Sequence, residues 1–443
     1  MERTLIGELA KHVGESVSIS GWVDVRRDQG KMVFFDFRDR SGVVQGVVLP
    51  GSEAIEIAKG VRNEFVVRVE GLVNKRPEKN IQPGKQNGDI ELEIKKIEIL
   101  SPAAPLPFEL SADLNLDTYL DNLPLTLRTP LARGVFSIQA TVVEAFRSSL
   151  TEQGFTEFQA PALVGADAEG GAASFAVDYY YGKKAFLATS PQLYKQIMVG
   201  TLERVFATPK VFRGEKHATT RHLSEYSSLD FEMGFIKDHT DVMAVLEKTI
   251  RAMVGAIAKK HGDFFATRGV PLPLVPEGPF LVLKLREAQK ILGVAEEPDL
   301  EPEHERQICE WARSEQNSDF VFITHYPVSK RPFYTYEDEA DPGFTKSFDL
   351  LFRGLEITTG GQRVHNYENL VERAKAKGLD PEKFSFYLQA FKYGMPPHGG
   401  SATGLERFTA RMLNLPNVKE ATLFPRDLNR IDILLHESDT LKN

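Results

Sequence analysis

Phe212-Arg213-Gly214-Glu215, continued by Arg221-His222-Leu223-Ser224-Glu225 and Leu229-Asp230-Phe231-Glu232-Met233, and far downstream Gly404-Leu405-Glu406-Arg407-Phe408, decide how this chain is read. Each sets an arginine in a strand-like or helical run that otherwise reads as buried. Arginine keeps its charge in any protein environment and offers a planar fork of donors, so two such sites imply a polyanion held between them. A triphosphate fits that demand, although the chain contains no Gly-rich phosphate loop of the P-loop or dinucleotide type.

Outward from these segments, short strands alternate with helices. Ile138, Val142, Ala145, Phe146 and Leu150 share one face of a helix that Gly154 stops, and Phe155-Thr156-Glu157-Phe158-Gln159 alternates as a strand ending at Pro161. Strands are expected at 185–188, 207–212, 228–235, 320–323 and 347–355, with helices at 242–258, 367–377 and 382–393. This mixture predicts an α+β domain over 128–443, a mostly antiparallel sheet flanked by helices. Upstream, residues 1–103 read as small and all-β. Strand-like runs at 17–23, 32–38, 43–48, 65–73 and 90–100, with a short helix near 53–59 after the third, follow the order of a five-stranded OB-fold barrel. Pro-rich Ser101-Pro102-Ala103-Ala104-Pro105 ends the periodicity and opens a hinge over 104–127.

Composition narrows the class. The chain has 443 residues, 42% hydrophobic and 26% charged, with a net charge of −8. That balance argues against a DNA-coating protein but leaves room for one folded RNA on a local basic face. No apolar run approaches ~20 residues, so no membrane span is expected, and Met1-Glu2-Arg3-Thr4 does not open a secretory leader. The single cysteine, Cys309, excludes an intrachain disulfide and points to a reducing, cytoplasmic setting, where it should be a half-buried helical residue.

Several side chains carry candidate chemistry. On the barrel, Arg26 and Arg27 precede the strand of Phe34 and Phe35, and Gln45 lies on the next strand. Alternation puts the two phenylalanines on opposite faces, so one faces outward or sits under a loop. Beside the arginines it suits stacking on a base of single-stranded nucleic acid, the alternative being one core ring and solvated arginines. In the larger domain, Glu169-Gly170-Gly171 is a glycine-flanked acidic loop, and Gln192 and Lys195 lie in Ser190-Pro191-Gln192-Leu193-Tyr194-Lys195-Gln196. Asp230 interrupts a strand, while Asp349, Glu356 and Thr359 precede Gly360-Gly361-Gln362-Arg363 and offer hard oxygen ligands to Mg²⁺. Any one of these could be a surface charge. Grouped in glycine-punctuated strands, they imply a polar pocket.

Taken together, the motifs resemble those of a class II aminoacyl-tRNA synthetase, and within that class an aspartyl-tRNA synthetase of the compact archaeal type, over essentially the whole chain. The helix and strand ending at Pro161 look like the first motif, Phe212 to Met233 like the second, and Gly404-Leu405-Glu406-Arg407 like the third; Gly354-Leu355-Glu356-Ile357 and Tyr393-Gly394-Met395-Pro396-Pro397-His398-Gly399-Gly400 match further stretches. The resemblance implies ATP and Mg²⁺, with L-aspartate and tRNA as the other partners, and a homodimer formed through the first motif. Arg213 would hold the α-phosphate, Glu215 would lie by the adenine and the acceptor end, and His222 and Arg407 would hold the γ-phosphate. Arg221, Leu223 and Glu356 would complete the ATP site, with Asp349, Glu356 and Thr359 around the metal. Lys195 and Arg363 would clamp the aspartate side chain, with Glu169, Asp230 and Gln192 on its ammonium and Thr359 shared with the metal.

The same resemblance puts Phe34 and Gln45 on the central anticodon base, Arg27 on the first base or the backbone, and Asp24 and the Pro77 loop at the third. Ser401-Ala402-Thr403 replaces the family's usual aromatic-Gly-Leu run, and Thr189 stands where glutamine is common. The interval 236–348 is too short for the domain that bacterial aspartyl enzymes insert there, and Lys75-Arg76-Pro77-Glu78 is bacterial in character. This combination implies a compact enzyme that loads tRNA(Asp) and also tRNA(Asn). A strictly discriminating aspartyl enzyme and an asparaginyl enzyme are the alternatives. An ammonia-dependent asparagine synthetase on the same core would lack the barrel.

Overall fold

A computed structural model describes residues 1–110, 112–165, 174–216 and 219–435, and Glu169 and residues 217–218 of the loop after Glu215 lie outside it. The chain separates into two compact units, Met1–Ala112 and Asp113–Asn443.

In the first unit, strands β1 (Ser16–Gln29), β2 (Met32–Arg38), β3 (Val43–Val48), β4 (Val66–Lys75) and β5 (Ile90–Ser101) close a barrel in the order β1-β2-β3-β5-β4, with helix α1 (Ile55–Gly60) after the third strand. All pairings are antiparallel except β3 with β5. Alternation sorts the faces: Val33, Phe35 and Phe37 fill the barrel with Ile19, Val69 and Leu92, while Phe34 and Asp36 point outward. Each barrel strand falls on its expected run, but β1, expected to end at Val23, continues to Gln29 and so carries Arg26 and Arg27.

The second unit begins with α2 (Leu116–Asp121) and α3 (Leu123–Thr126), which occupy the stretch expected as hinge; Asn115 caps α2 by accepting from Thr118 N at 2.9 Å. Then follow α4 (Pro130–Glu152), β6 (Thr156–Glu157), β7 (Leu163–Val164), β8 (Ala176–Tyr179), β9 (Lys183–Leu187), α5 (Gln192–Leu202), β10 (Arg204–Ala207), β11 (Lys210–Phe212) and β12 (Glu225–Gly234). The chain continues through α6 (His239–Arg268), β13 (Leu281–Lys284), α7 (Leu285–Leu292), α8 (Pro302–Gln316), β14 (Phe320–Thr324), β15 (Ser347–Phe352), β16 (Glu356–Arg363), α9 (Tyr367–Ala376), α10 (Ser385–Lys392), β17 (His398–Gly404) and α11 (Leu405–Met412). Nine strands form one sheet in the order β13-β14-β15-β16-β17-β12-β10-β6, with β11 attached to β12; its centre is antiparallel and only its two margins are parallel. The architecture is α+β, as expected.

Register on this sheet positions the site. Asp349, Thr359, Ala402 and Asp230 stand directly opposite one another on β15, β16, β17 and β12, and two residues along stand Ser347, Gly361, Gly400 and Glu232. Because side chains alternate, both rows face the same side. The row between them, which includes Phe231 and Phe348, packs into the main core with Ile138, Val142, Phe146, Leu246 and Ile250 of α4 and α6. One face is therefore apolar and covered, and the other is left to polar groups. Among the described residues, no helix is long and apolar enough to cross a membrane.

Several expectations differ in detail. The strand foreseen over 207–212 is two strands, β10 and β11, parted near Pro209, which has no amide to donate to a ladder. The strand expected over 155–159 is confined to β6, and the one over 347–355 stops at Phe352. The long helix extends beyond 242–258 to Gly269, where φ is 64°. Strands β13 and β17 and helices α7 and α8 had not been foreseen. Cys309, expected to be half-buried, is 5% exposed on α8.

Candidate active site

On the polar face, Arg213, Glu215, Arg221, His222, Leu223, Glu356, Thr359, Ala402 and Arg407 line one cleft. Three chain segments supply its cations. Arg213 directly follows β11, its amide donating to Ser224 O at 2.9 Å, and its guanidinium lies 5.6 Å from the centre of the Tyr226 ring. Arg221 and His222 come from the arm leading into β12; the His222 ring reaches Thr219 Oγ1 at 2.5 Å and Glu215 at 3.9 Å. Arg407 rises from the first turn of α11 and donates to Glu356 O at 3.2 Å. Its aim is set by Glu406, a buried neighbour that sequence reading passed over. Both Glu406 oxygens accept from Ser227 N at 3.0 Å, so the start of α11 is tied to β12.

Beyond the cleft the same face is fully buried. Lys195 of α5, 1% exposed, places Nζ 2.9 Å from Asp230 Oδ2 and 3.2 Å from Glu232 Oε2, and donates to Ser401 O. Arg363 donates from Nε to Glu232 Oε1 at 2.9 Å and from Nη2 to Gly400 O at 2.9 Å. Two cations thus face two carboxylates. Burial alone would raise the Glu232 carboxyl, but Arg363 and Lys195 hold it below the ordinary range. Only glycine fits at 400, because a Cβ there would stand 2.2 Å from Glu232 Oε2. Gln196 donates to His398 Nε2 at 2.9 Å, and His398 Nδ1 lies 2.9 Å from Pro396 O, which sets the neutral tautomer with the proton on Nδ1. Burial pushes the pKa of His398 down to about 4. Gln192 Nε2 is buried beside these groups with no partner among the described residues.

Asp349 and Glu356 form a third group at the cleft margin. Asp349 Oδ2 accepts from Arg331 Nη2 at 2.8 Å, while its Oδ1 is buried without a hydrogen-bond partner among the described residues. Glu356 Oε1 accepts from Thr359 Oγ1 at 2.8 Å. Burial, with Glu356 nearby, pushes the pKa of Asp349 up to about 6. No group of three or more His, Cys, Asp or Glu side chains able to cage a metal occurs among the described residues.

The structure therefore gathers Arg213, Glu215, Arg221, His222, Leu223, Glu356, Thr359 and Arg407 around one cleft, with Lys195, Asp230, Gln192 and Arg363 beyond it. Asp230, expected on a substrate ammonium, has one oxygen on Lys195 and the other accepting from Ser228 Oγ. Glu232 was missed, although its spacing of two from Asp230 in a strand puts both on one face. Nothing in the sequence marked Arg331. On the barrel, Arg27 grips Asp36 with two bonds of 2.8 Å and touches Gln45 at 3.5 Å, and Phe34 lies opposite Arg27, so these form one outward patch. Asp24 accepts from Arg38 Nη1 at 2.7 Å beside the β1 bulge, and Pro77 is exposed at the head of the β4–β5 connection.

Residues 115–428 match the family of class II tRNA synthetases (D, K and N), and residues 17–100 match the OB-fold nucleic acid binding domain. The chain is 46% identical over 437 residues, 97% of its own length and 99% of the relative's, to an aspartate–tRNA(Asp/Asn) ligase of Thermus thermophilus. It is 38% identical, over 94% of this chain and 96% of the relative, to an aspartate–tRNA(Asp) ligase of Thermococcus kodakarensis. Among solved structures it resembles asparaginyl-tRNA synthetase from Pyrococcus horikoshii complexed with asparaginyl-adenylate, with a TM-score of 0.89 and 32% identity over 97% of this chain and 99% of that one.

Proposed function

The chain belongs to the class II tRNA synthetases of the aspartate, lysine and asparagine group, and within them to the aspartate–tRNA ligases; from that premise we propose how its residues divide the work. The observation that carries the reading is the adjacency, on one sheet face, of a cleft lined by Arg213, Arg221 and Arg407 and a buried Lys195–Arg363 pair. The cleft takes ATP and the pair takes the aspartate side chain.

In the first step the aspartate α-carboxylate attacks the α-phosphorus, a bond forms between carboxylate oxygen and phosphorus, and the bond to pyrophosphate breaks. Arg213 offsets the charge that grows on the α-phosphate, and Arg221, His222 and Arg407 hold the departing pyrophosphate. Glu215 lies by the adenine and, in the second step, by the tRNA end whose ribose hydroxyl takes the aspartyl group from the adenylate. No protein nucleophile is required, because positioning and charge neutralisation suffice. Asp349, Glu356 and Thr359 fit Mg²⁺: two hard carboxylates converge at the cleft margin, and the unpartnered Asp349 Oδ1 offers a ligand. Bound there, the ion would draw charge from the phosphate oxygens.

Lys195 and Arg363 select aspartate. A neutral carboxamide would bring no anion to them, so asparagine should be rejected. Glu232 holds both cations in place and Asp230 also meets Lys195, while Glu169, Asp230 and Gln192 take the α-ammonium. On the barrel, Phe34 stacks on the central anticodon base, Gln45 reads its edge, and Arg27 takes the neighbouring base or backbone, with Asp24 and Pro77 at the third base. We assign tRNA(Asn) as a second acceptor, a reading supported by the Asp/Asn specificity that the Thermus thermophilus relative carries in its name. The Asp-only name of the Thermococcus kodakarensis relative favours strict discrimination as the second reading. A homodimer through α4 and the strand after it, acting in the cytoplasm, completes the proposal.

Charging with labelled aspartate on purified tRNA(Asp) and tRNA(Asn) tests it. Loading of both is expected. Loading of tRNA(Asp) alone would show a discriminating barrel, and loading of neither, with ATP and Mg²⁺ present, would overturn the assignment of the site.

A further inference from the structure

Apart from Cys309, helix α8 carries no residue singled out in the sequence, yet it sends one carboxylate against Arg221 and Glu356, two residues that line the cleft. Glu305 stands one turn inside the helix, its amide donating to Glu301 O at 3.0 Å, and heads a buried stripe continued by Ile308, Cys309 and Ala312. A polar group at the head of an apolar stripe needs partners, and Glu305 is only 8% exposed. Its single oxygen Oε2 accepts both from Arg221 Nη2 and from the amide of Glu356 at 3.3 Å. The helix is held at that distance by Gly354, in the turn between β15 and β16, where φ is 79° and a Cβ would stand 2.9 Å from Arg306 Cγ.

We propose that Glu305 is a positioning residue for ATP: it orients the Arg221 guanidinium at the phosphate end of the cleft and ties it to the first residue of β16. Arg221 sits on the arm that follows residues 217–218, and Glu356 faces Arg407, so one carboxylate oxygen links two sides of the site that are far apart in sequence. The chemistry suits the task. A long flexible side chain already held in place loses less freedom when phosphate arrives, and Glu305 engages only one terminal nitrogen of a five-donor fork.

The proposal rests on reading the cleft as the ATP site, and the full-length enzyme tests both in aspartate-dependent ATP–pyrophosphate exchange. Glu305→Ala is expected to raise KM for ATP roughly tenfold to hundredfold, the range for a lost hydrogen bond to a charged group, with kcat and KM for aspartate within about twofold. Glu305→Gln, of the same shape, keeps an acceptor for Arg221 and should show a smaller rise. In an Arg221→Ala background, Glu305→Ala should add little, since the two act as one unit. An unchanged KM for ATP in Glu305→Gln and in a folded Glu305→Ala would overturn the proposal, as would full additivity with Arg221→Ala. If Glu305→Ala melts during purification, the Glu305→Gln value decides alone. Absence of exchange in the wild-type enzyme would be a different failure, bringing down the ATP reading and this inference with it.

Discussion

The two halves of the candidate active site hold their cations in different ways. In the proposed amino-acid pocket, the Lys195 and Arg363 side chains are 1% and 6% exposed, and each is met by buried carboxylate. In the nucleotide cleft, the Arg213, Arg221 and Arg407 side chains are 41%, 21% and 28% exposed. Buried charge must be paired, and pairing fixes geometry; exposed charge can remain hydrated until a phosphate displaces the water. On the proposed assignment, the pocket suits recognition of one small ligand, whereas the cleft suits collection of charge as the reaction develops it.

The largest effect should come from breaking the buried side. Lys195→Met leaves Asp230 and Glu232 with one cation between them, and removing one partner of a buried ion pair costs about 3–5 kcal/mol. Urea denaturation should show that loss, and kcat/KM for aspartate in the exchange reaction should fall by about 10³-fold or more. Arg407→Ala should behave oppositely. Exchange is expected to slow about a hundredfold to a thousandfold, as when a charge-stabilising donor is lost. Stability should change by less than about 1 kcal/mol, since its contacts are partly solvated. Equal destabilisation by the two substitutions would break the contrast.

That contrast also explains what could be read in advance. Barrel strands and the arginine-bearing segments were legible because alternation and an obligate cation in an apolar run are local signals. The identity of Arg213 and Arg407 needed no knowledge of their neighbours. By comparison, the partners of Lys195 depend on register between β12, β16 and β17, which only the folded sheet decides, and so the contacts of Asp230 and Glu232 with Lys195 were not legible in advance. Glu305 and Arg331 were invisible for the same reason. Each is an ordinary charged residue until α8 or the 328–331 turn brings it against a strand that is distant in sequence. Strand β17, rich in glycine, lacks the β-branched signature, yet glycine is what lets Glu232 lie flat beneath it.

Acid should sharpen the comparison by acting on buried neutral histidines, one of which, His398, lies against the pocket. His398, sealed among Gln196, Pro396 and Glu232, has its pKa pushed down to about 4, and His239, buried against His325, is also lowered to about 4. In the unfolded chain both take a proton near pH ~6.5. Between the two values the unfolded state binds more protons, so stability rises with pH and is lost progressively as pH falls from about 6.5 toward 4. The two histidines contribute about equally to that loss, and the Asp349 carboxyl, raised to about 6, opposes it by taking its proton first in the folded chain. His398→Gln, which does not titrate, should remove half or more of the net slope in denaturation measured at several pH values. An undiminished slope would mean that His398 is neutral for no energetic reason.

Phe34 gives the smallest effect and the cleanest separation of the two units. It faces outward on β2 opposite Arg27, in a barrel whose own core is filled by Phe35 and Phe37. Removing its ring should therefore leave the barrel folded and the sheet face of the larger unit untouched. Phe34→Ala is expected to leave aspartate-dependent exchange unchanged while raising KM for tRNA by roughly fivefold to a hundredfold, the range for loss of one aromatic stacking contact with a base. The outcome on two acceptors is more telling than the magnitude. A ring that stacks on a base common to tRNA(Asp) and tRNA(Asn) should weaken both equally, since stacking tolerates sequence. Unequal losses would shift the reading of the third base from Asp24 and Pro77 toward the Phe34–Arg27 patch, and the barrel's selectivity would then have to be argued from that face.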